Sequence, residues 1–158
     1  MSTKMDAYMQ FIHKSRYARY IPELKRRETW EETVDRYINY WGDKLPEKDA
    51  KEARQAILGL EVAPSMRCLM TAGEALDRDN VAGFNCSYMP IDHPKAFDEL
   101  MYVLMCGTGA GFSVERQYIH KLPEVAEDFH GTDSIIHVSD SKIGWAKAYR
   151  ELIAMLYS

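Results

Sequence analysis

The stretch from Gly83 to Ser113 constrains the fold of this chain more than any other part of the sequence. It opens with a short aromatic-rich run that contains Cys86 and ends at Pro90, which is typical of a strand in a covered sheet. A helical apolar run follows, and the glycine-rich sequence C-G-T-G-A-G-F-S then leads into a second strand. Because one helix joins the two strands, we expect the strand cysteine and the glycine backbone to face the same cavity.

The helix between these strands carries signals at both ends. Asp92 or His93 is suited to cap its first turn, where Pro94 is tolerated because the missing N–H has no helical partner there. Spacing of i, i+3, i+4 and i+7 predicts one apolar face, formed by Phe97, Leu100, Met101 and Leu104. The helix ends at three glycines, which allow positive φ and close approach of a ligand: Gly107, Gly109 and Gly111.

Residues 1–60 have the pattern of a helical region, which we interpret as a scaffold. Thr29 and Glu32 have the spacing of a capping box, and Gly42 marks the end of that helix. A second helix is predicted over Glu47 to Leu58. Before them lies a basic and aromatic patch that could contact phosphate, although side chains snorkelling over a helix pair explain it more simply. The patch consists of Lys14, Arg16, Tyr17, Arg19 and Tyr20.

Residues 61–158 have a different pattern of apolar and polar residues, which predicts the start of an α/β domain. The apolar run from Met66 to Met70 predicts an extended segment or strand, and the polar run from Glu74 to Gly83 predicts a loop. Glu115 to Leu122 is expected to continue a strand or form a turn, and the acidic run from Glu124 to Thr132 is expected to be a surface loop.

The last helix of the chain is predicted after a brief β-prone run at residues 135–138. Ser139 or Asp140 is the expected cap at its start. Its wide apolar face reaches the chain end without a C-terminal cap, and a sheet begun but not completed would have an open edge. We therefore expect this helix to pack against a partner outside the chain.

The composition excludes several classes of protein. A hydrophobic fraction of 46% over 158 residues is enough for a core and argues against disorder. The net charge of −4, with both signs interspersed, leaves no general footprint for nucleic acid or a membrane surface. No apolar run approaches the roughly 18 residues of a membrane span. We therefore expect neither nucleic acid nor a membrane among the partners.

The three cysteines, Cys68, Cys86 and Cys106, are odd in number and widely spaced. Such usage is typical of a reducing cytoplasm rather than of a disulfide framework. The chain has five histidines, and neither they nor the cysteines have the spacing of zinc ligands. We predict no metal site in this chain.

The candidate sites each leave two interpretations open from the residues alone. Cys86 is either a small buried core residue, as most strand cysteines are, or a working thiol. The run from Gly107 to Gly111 is either a tight helix-to-strand turn or a nest of N–H groups for an anion. It lacks the Gly-Lys-Ser/Thr of a P-loop, and it precedes a strand, unlike a dinucleotide fingerprint. Helix capping alone explains Asp92.

Taken in order, these motifs resemble the start of the catalytic barrel of ribonucleotide reductases, and most closely that of the adenosylcobalamin-dependent class. The central motifs are Asn85-Cys86-Ser87 and the glycine run that leads into Phe112-Ser113-Val114. The further motifs are Tyr17-Ala18-Arg19, Arg27-Glu28-Thr29-Trp30, Pro64-Ser65-Met66-Arg67, Met70-Thr71-Ala72-Gly73, Asp140-Ser141-Lys142 and Gly144-Trp145. The resemblance runs over nearly the whole chain, which corresponds to the N-terminal quarter or so of such an enzyme.

The resemblance implies an α/β fold, in which an N-terminal helical segment precedes the first strands and helices of a ten-stranded α/β barrel, left incomplete by this chain. It also implies an oxidoreductase that converts ribonucleotides to deoxyribonucleotides for DNA synthesis by thiyl-radical chemistry. Cys86 matches one of the two thiols that reduce the 2′ carbon and close to a redox-active disulfide. Its partner is expected beyond Ser158, so the chain alone is expected to be inactive.

The resemblance assigns further roles residue by residue. Asn85 adjoins the reducing thiol at the ribose or phosphate, and Gly109 is the backbone position near the substrate. Ser65 and Arg67 match the segment that helps to bind substrate phosphate, although Arg67 replaces the small hydroxyl residue of some relatives. Asp92 lies in the region that contributes to the effector site for a deoxynucleoside triphosphate.

The implied cofactor is adenosylcobalamin, with its site outside this chain. The implied partners are the remainder of the reductase chain or a complementary subunit, a ribonucleotide substrate, a deoxynucleoside triphosphate effector and a thioredoxin-like reductant, in the cytoplasm. Two other interpretations stay open. One is a non-catalytic interaction module derived from a reductase, and the other is an unrelated nucleotide-binding domain that uses the turn from Gly107 to Gly111.

Overall fold

The chain divides into two compact units, Met1–Gly83 and Phe84–Ser158. The computed structural model describes residues 5–158. The boundary predicted between residues 60 and 61 falls inside the first unit. That residues 1–60 and 61–158 are separate domains of a larger fold stays a prediction.

The first unit consists of helices and one small antiparallel hairpin. α1 (Ala7–Ile12) continues into a π-helical turn (His13–Tyr17), and β1 (Tyr20–Ile21) pairs with β2 (Arg26–Arg27). The later helices are α2 (Trp30–Trp41), α3 (Glu47–Leu58), α4 (Met66–Thr71) and α5 (Glu74–Arg78). Short 3₁₀ turns occur at Pro22–Leu24, Gly42–Lys44 and Asn80–Gly83.

The predicted capping box at the start of α2 is confirmed. The Glu32 backbone N–H donates to the Thr29 hydroxyl at 3.2 Å, and the Thr29 N–H donates to the Glu32 carboxylate at 2.7 Å. These bonds satisfy N–H groups that have no partner within the helix. The predicted bounds of α3, Glu47 and Leu58, are also confirmed.

The core of the first unit joins α2 to the segment that follows α3. Ala72, Leu76 and Ala82 form a buried cluster, against which three aromatic side chains of α2 pack. These are Tyr37, Tyr40 and Trp41. Val34 of α2 and Leu69 of α4 are completely buried. Burial of such apolar side chains is the main stabilising contribution to the unit.

A buried polar network lies beside this core and centres on Glu28, which is 6% exposed. Its carboxylate accepts hydrogen bonds from Arg36 Nε at 2.7 Å and Nη2 at 3.0 Å. It also accepts from the Thr33 hydroxyl at 2.9 Å and the Arg19 backbone N–H at 3.1 Å. Thr33 in turn lies 2.9 Å from Nε2 of the buried His13. A buried carboxylate is tolerated because it is paired and fully hydrogen-bonded.

Arg36 connects this network to α4. Its Nη1 donates to the carbonyl oxygens of Leu69 at 3.1 Å and Ala72 at 3.0 Å, where α4 ends. Burial alone would raise the pKa of Glu28, but the hydrogen bonds from Arg36, Arg19 and Thr33 outweigh burial and lower it. The carboxylate therefore stays charged and keeps Arg36 in place.

Two predictions for this segment are wrong. The run from Met66 to Met70 is helical rather than extended, because Ser65 caps it, Leu69 is buried in the core and Arg36 satisfies its last carbonyls. Gly73, with a φ of +116°, then turns the chain into α5. The run predicted as a polar loop is α5 followed by a 3₁₀ turn, because Leu76 and Ala82 are buried in the core.

The second unit contains a strand, a helix and a second strand in succession. The elements are β3 (Cys86–Pro90), α6 (Lys95–Met105), β4 (Gly109–Ser113), α7 (Arg116–Ile119) and α8 (Lys142–Leu156). β3 and β4 pair in parallel, and α6 forms the connection that a parallel pair requires. The predicted strand–helix–strand order is confirmed.

α6 and α8 form the helical layer of this unit. Asp98 on α6 is 2% exposed, and its carboxylate accepts hydrogen bonds from Arg150 of α8, at 2.9 Å from Nε and 2.5 Å from Nη2. A cavity of about 410 Å³ lies beside this ion pair between the two helices. Met89 of β3 lines the same cavity, so the helical layer lies on the Met89 side of the strand.

The predictions for the end of the chain need three corrections. α8 is capped by Ser141, whose hydroxyl accepts from the Gly144 N–H at 3.0 Å, and not by Ser139 or Asp140. Residues 135–138 form no strand, and Ile135 is 77% exposed, because no neighbouring strand of the described chain pairs with them. The segment after β4 contains the short helix α7.

The apolar stripe of α8 is exposed at three positions, whereas Ala148 is buried and Tyr149 and Ile153 are half-buried. Trp145 is 49% exposed, Leu152 45% and Leu156 37%. The expectation that a further partner covers this face stays a prediction.

Within residues 5–158, no helix combines the length and apolar character that crossing a membrane requires. The same residues contain no group of three His, Cys, Asp or Glu side chains able to hold a metal ion.

Candidate functional site

Cys86 and Gly109 are register partners at the first position of the parallel pair. The Gly109 N–H donates to the Asn85 carbonyl oxygen at 2.9 Å, which ties the residue before the cysteine to the start of β4. Thr108, which is buried, adds a hydrogen bond from its hydroxyl to the Phe84 carbonyl oxygen at 3.0 Å. These bonds fix the register that brings the cysteine opposite the glycine.

The Cys86 side chain is exposed, which corrects the expectation of a buried strand. The first three residues of β3 are all exposed, and only Met89 and Pro90 are half-buried. α6 and α8 lie on the Met89 side of the strand and Cys86 alternates to the other side, although Ser87 on the Met89 side is exposed as well. The Cys86 thiol is therefore accessible in this chain, and its role as a working thiol stays a prediction.

The glycine run is a tight turn followed by a strand. Gly107, with a φ of +86°, ends α6, whereas Gly109 and Gly111 lie within β4 and have no positive φ. Because the Gly109 N–H is already donated to Asn85, it is not free to bind an anion. What Gly109 contributes is the absence of a side chain beside the cysteine.

Asp92 lies in the connection between β3 and α6. The predicted capping role falls to His93, whose Nδ1 accepts from the Ala96 N–H at 3.1 Å. The Asp92 carboxylate is 3.2 Å from the Lys121 ammonium instead. Capping therefore does not explain Asp92, and its contact with the effector stays a prediction.

Ser65 and Arg67 lie in the first unit, whereas Asn85, Cys86 and Gly109 lie in the second. The Ser65 hydroxyl caps α4 by accepting from the Cys68 N–H at 3.4 Å. Arg67 lies in the first turn of α4 and is half-buried. Their predicted contact with phosphate stays a prediction.

The other two cysteines, Cys68 and Cys106, are half-buried. The Cys68 thiol donates to the Gly83 carbonyl oxygen at 3.4 Å, and the Cys106 sulfur lies 3.3 Å from the Lys142 ammonium. Both side chains are therefore held by local contacts, and Cys86 is the most accessible of the three thiols.

The residue that sequence reasoning missed is Tyr88. It lies two positions after Cys86 and is 63% exposed. Its register partner is Gly111, so a second side chain of β3 faces a glycine. The alternation of side chains along a strand was the signal that would have placed it with Cys86.

Comparison with known proteins places this arrangement in context. The chain matches no family model. It is 31% identical to an adenosylcobalamin-dependent ribonucleoside-triphosphate reductase of Lacticaseibacillus paracasei, over 87% of this chain and 25% of the relative. Reductases of the same description from Lactobacillus helveticus and Lactobacillus leichmannii are 30% and 27% identical, each over 72% of this chain and 20% of the relative.

The fold is shared with a crystal structure of a B12-dependent (class II) ribonucleotide reductase. The TM-score is 0.74 at 24% identity, and the match covers 93% of this chain and 30% of that chain. This confirms the predicted fold at the level of part of such a reductase.

The chain spans about a quarter of the length of the first of these relatives. The alignment with it runs over 188 positions, more than the 158 residues present here, so that relative also contains segments that this chain lacks. Over most of its length, this chain is similar to one part of the adenosylcobalamin-dependent ribonucleotide reductases, as its motifs predicted.

Proposed function

We propose that this chain is the N-terminal part of a ribonucleotide reductase, in which Cys86 is one of the two thiols that reduce the substrate. The observation that carries the proposal is the exposed Cys86 thiol opposite Gly109 in the β3–β4 pair. In this proposal residues 1–60 are a helical scaffold, and residues 61–158 begin a ten-stranded α/β barrel completed outside the chain.

The overall reaction replaces the ribose 2′-hydroxyl with hydrogen. Two thiols supply two electrons and two protons, the hydroxyl leaves as water, and the sulfurs join in a disulfide. Cys86 is one of these thiols, and its partner belongs to the part of the reductase outside this chain. A thioredoxin-like dithiol then reduces the disulfide by exchange, which requires an accessible sulfur. The exposed position of Cys86 meets that requirement.

The β3–β4 pair holds the thiol at a fixed place. The ladder bond from Gly109 to Asn85 sets the position of the strand beside Cys86. Because Gly109 has no side chain, a ribose can approach the sulfur and the neighbouring backbone together. Asn85 and Gly109 are the proposed substrate contacts on either side of the thiol.

The remaining substrate and effector contacts rest on the family resemblance. Ser65 and Arg67 are proposed to bind substrate phosphate, for which a hydroxyl and a guanidinium are suitable donors. Asp92 is proposed to contact the deoxynucleoside triphosphate effector. We place the protein in a reducing cytoplasm, where a dithiol cycle can operate.

The relatives are described as adenosylcobalamin-dependent, and we extend that cofactor to the complete reductase. When bound, it would supply the radical that starts the reaction. On the family resemblance, we assign its site to the part of the reductase outside this chain.

The proposal is tested by replacing Cys86 in a complex of this chain with the polypeptide that completes the reductase. Cys86→Ser is expected to abolish deoxynucleotide formation, and Cys68→Ser, which keeps a donor for the Gly83 carbonyl, is the matched control with activity retained. The chain alone is expected to form no deoxynucleotide. Activity that survives Cys86→Ser would favour a non-catalytic interaction module.

A further inference from the structure

The face of the β3–β4 pair that carries Cys86 contains one more side chain suited to hold a ligand. Along β3, Cys86 and Tyr88 point to the same face, because side chains alternate along a strand. Their register partners in β4 are Gly109 and Gly111. Two side chains of β3 therefore lie beside a strip of bare backbone.

The Tyr88 ring lies beside β4 and is exposed. A Cβ at Gly111 would lie 3.9 Å from the ring carbon Cδ2, so the ring borders the space above that glycine. The side chain is nevertheless 63% exposed. Met89, which points the other way, lines the cavity between α6 and α8, so these two helices lie on the face opposite to Tyr88.

We propose that Tyr88 is a specificity-determining residue that stacks on the base of the nucleotide whose ribose meets Cys86. This inference rests on the proposed function, because it takes Cys86 as the thiol that faces the ribose. Residues two apart along a strand are separated by roughly 6–7 Å, so the thiol and the ring are near enough to contact one nucleotide.

The chemistry of the ring favours the base over the phosphate. An aromatic face carries partial negative charge and attracts no anion, whereas every base has a flat face that stacks on it. No side chain on Gly109 or Gly111 separates the ring from a ligand lying across β4. A purine offers a larger face than a pyrimidine and is expected to be held more tightly.

The test uses disulfide exchange on the 158-residue chain, without turnover. The Cys86 thiolate attacks the disulfide of a 2′-thio-2′-deoxynucleoside dimer, which forms a protein–nucleoside disulfide and releases one nucleoside thiolate that takes up a proton. Mercaptoethanol disulfide competes at equal concentration. The ratio of the two adducts on the Cys86 peptide is measured by mass spectrometry at equilibrium, with the urea-unfolded chain as reference.

The expected ratio for the folded chain is about fivefold or more above the urea reference, since base–aromatic stacking is worth at least that factor. It is expected to be higher for a purine than for a pyrimidine. Tyr88→Ala is expected to return the ratio to the reference, and Tyr88→Phe to keep it. Phe129→Ala removes an equally exposed ring elsewhere, at 62%, and is expected to change nothing.

The inference is overturned if the folded chain shows no preference over its unfolded reference, or if Tyr88→Ala keeps the preference. If Tyr88→Ala fails to fold, Tyr88→Leu and the purine-to-pyrimidine ratio of the native chain decide the matter. The outcome is separable from that of the proposed function. If Cys86→Ser abolishes deoxynucleotide formation but the folded chain shows no preference for the nucleoside disulfide, only the role of Tyr88 is overturned. If Cys86→Ser keeps deoxynucleotide formation and the folded chain prefers the nucleoside disulfide, only the reducing role of Cys86 is overturned.

Discussion

Cys86 faces Gly109 across the parallel strand pair, and a Cβ at Gly109 would lie 3.3 Å from the carbonyl oxygen of Asn85. That oxygen accepts the ladder bond from Gly109 and cannot move away freely. The glycine therefore keeps both the ladder and the space beside the thiol.

Gly109→Ala is expected to lower the free energy of unfolding by about 1 kcal/mol, the low end of the cost of overpacking. Gly111→Ala is the matched control, because its Cβ would have 3.9 Å to its nearest neighbours and is expected to be tolerated. Urea denaturation measures both variants. Equal stability of the two variants would contradict a tight contact between a Cβ at Gly109 and the Asn85 carbonyl oxygen.

Cys86 is expected to react first with an aromatic disulfide reagent in the folded chain. Cys68 and Cys106 are half-buried and held by local contacts, whereas Cys86 is exposed. Stopped-flow absorbance should show one rapid thiol per chain, and Cys86→Ser should remove that phase. In urea the three thiols should react together, because unfolding exposes all of them and removes their local contacts.

Arg36→Met is expected to cost about 3 kcal/mol or more, because it leaves the Glu28 carboxylate buried without its main partner and two carbonyls without donors. Arg54→Met removes two more exposed ion pairs, with Asp35 and Glu31, and is expected to cost less than about 1 kcal/mol. Chemical denaturation compares them. Arg36→Lys should restore little of the lost stability, since an ammonium cannot reach both the Glu28 carboxylate and the two carbonyl oxygens.

Acid is expected to destabilise the first unit in two stages. Burial lowers the pKa of His13 below 6.5, with Lys14 and Arg36 acting in the same direction and Glu28 opposing. A lowered pKa means that the unfolded chain binds the proton more tightly, so stability is full above pH 6.5 and is lost as the pH falls. The lowered pKa of Glu28 acts likewise below its ordinary value of 4.5.

His13→Gln keeps a polar contact for Thr33 without titrating. The difference in melting temperature between pH 7.5 and 5.5 is therefore expected to shrink in this variant. His130→Gln, in an exposed loop, should behave as the native chain does. An unchanged pH dependence in His13→Gln would show that other groups control the first stage.

Thr29→Ala is expected to lower the free energy of unfolding by about 1 kcal/mol, because it removes the cap of α2. Hydrogen bonds from Arg26 and the Thr29 N–H lower the pKa of Glu32 to about 2, so the carboxylate half of the box should persist in mild acid. Thr132→Ala in an exposed loop is the control, expected within about 0.5 kcal/mol of the native chain by thermal unfolding.

Local signals predicted the helices with clear ends. The capping box of α2, the bounds of α3 and the glycine that ends α6 follow from chemistry within one turn of each helix. The same local chemistry misassigned α4. Six residues with few helix signals become helical because Leu69 is buried and Arg36, more than thirty positions earlier in the chain, satisfies the last carbonyls.

At the candidate site, too, the sequence predicted the local features but not those that depend on distant contacts. The motif around Cys86 and the glycine run were sufficient to predict the cysteine, the glycine backbone and the resemblance that gives them a role. The sequence could not say which face of β3 the helices cover, because a short aromatic-rich strand suits either face. It therefore predicted a covered strand, left the burial of Cys86 open and overlooked Tyr88.

By itself the sequence determined the order of strand, helix and strand, the capping box of α2 and the residue types at the site. Only the tertiary structure decided that α4 is helical, that Cys86 pairs with Gly109 and that its thiol is exposed. The reason is physical: caps and turns depend on neighbours in the chain, whereas register and burial depend on contacts between residues far apart in sequence.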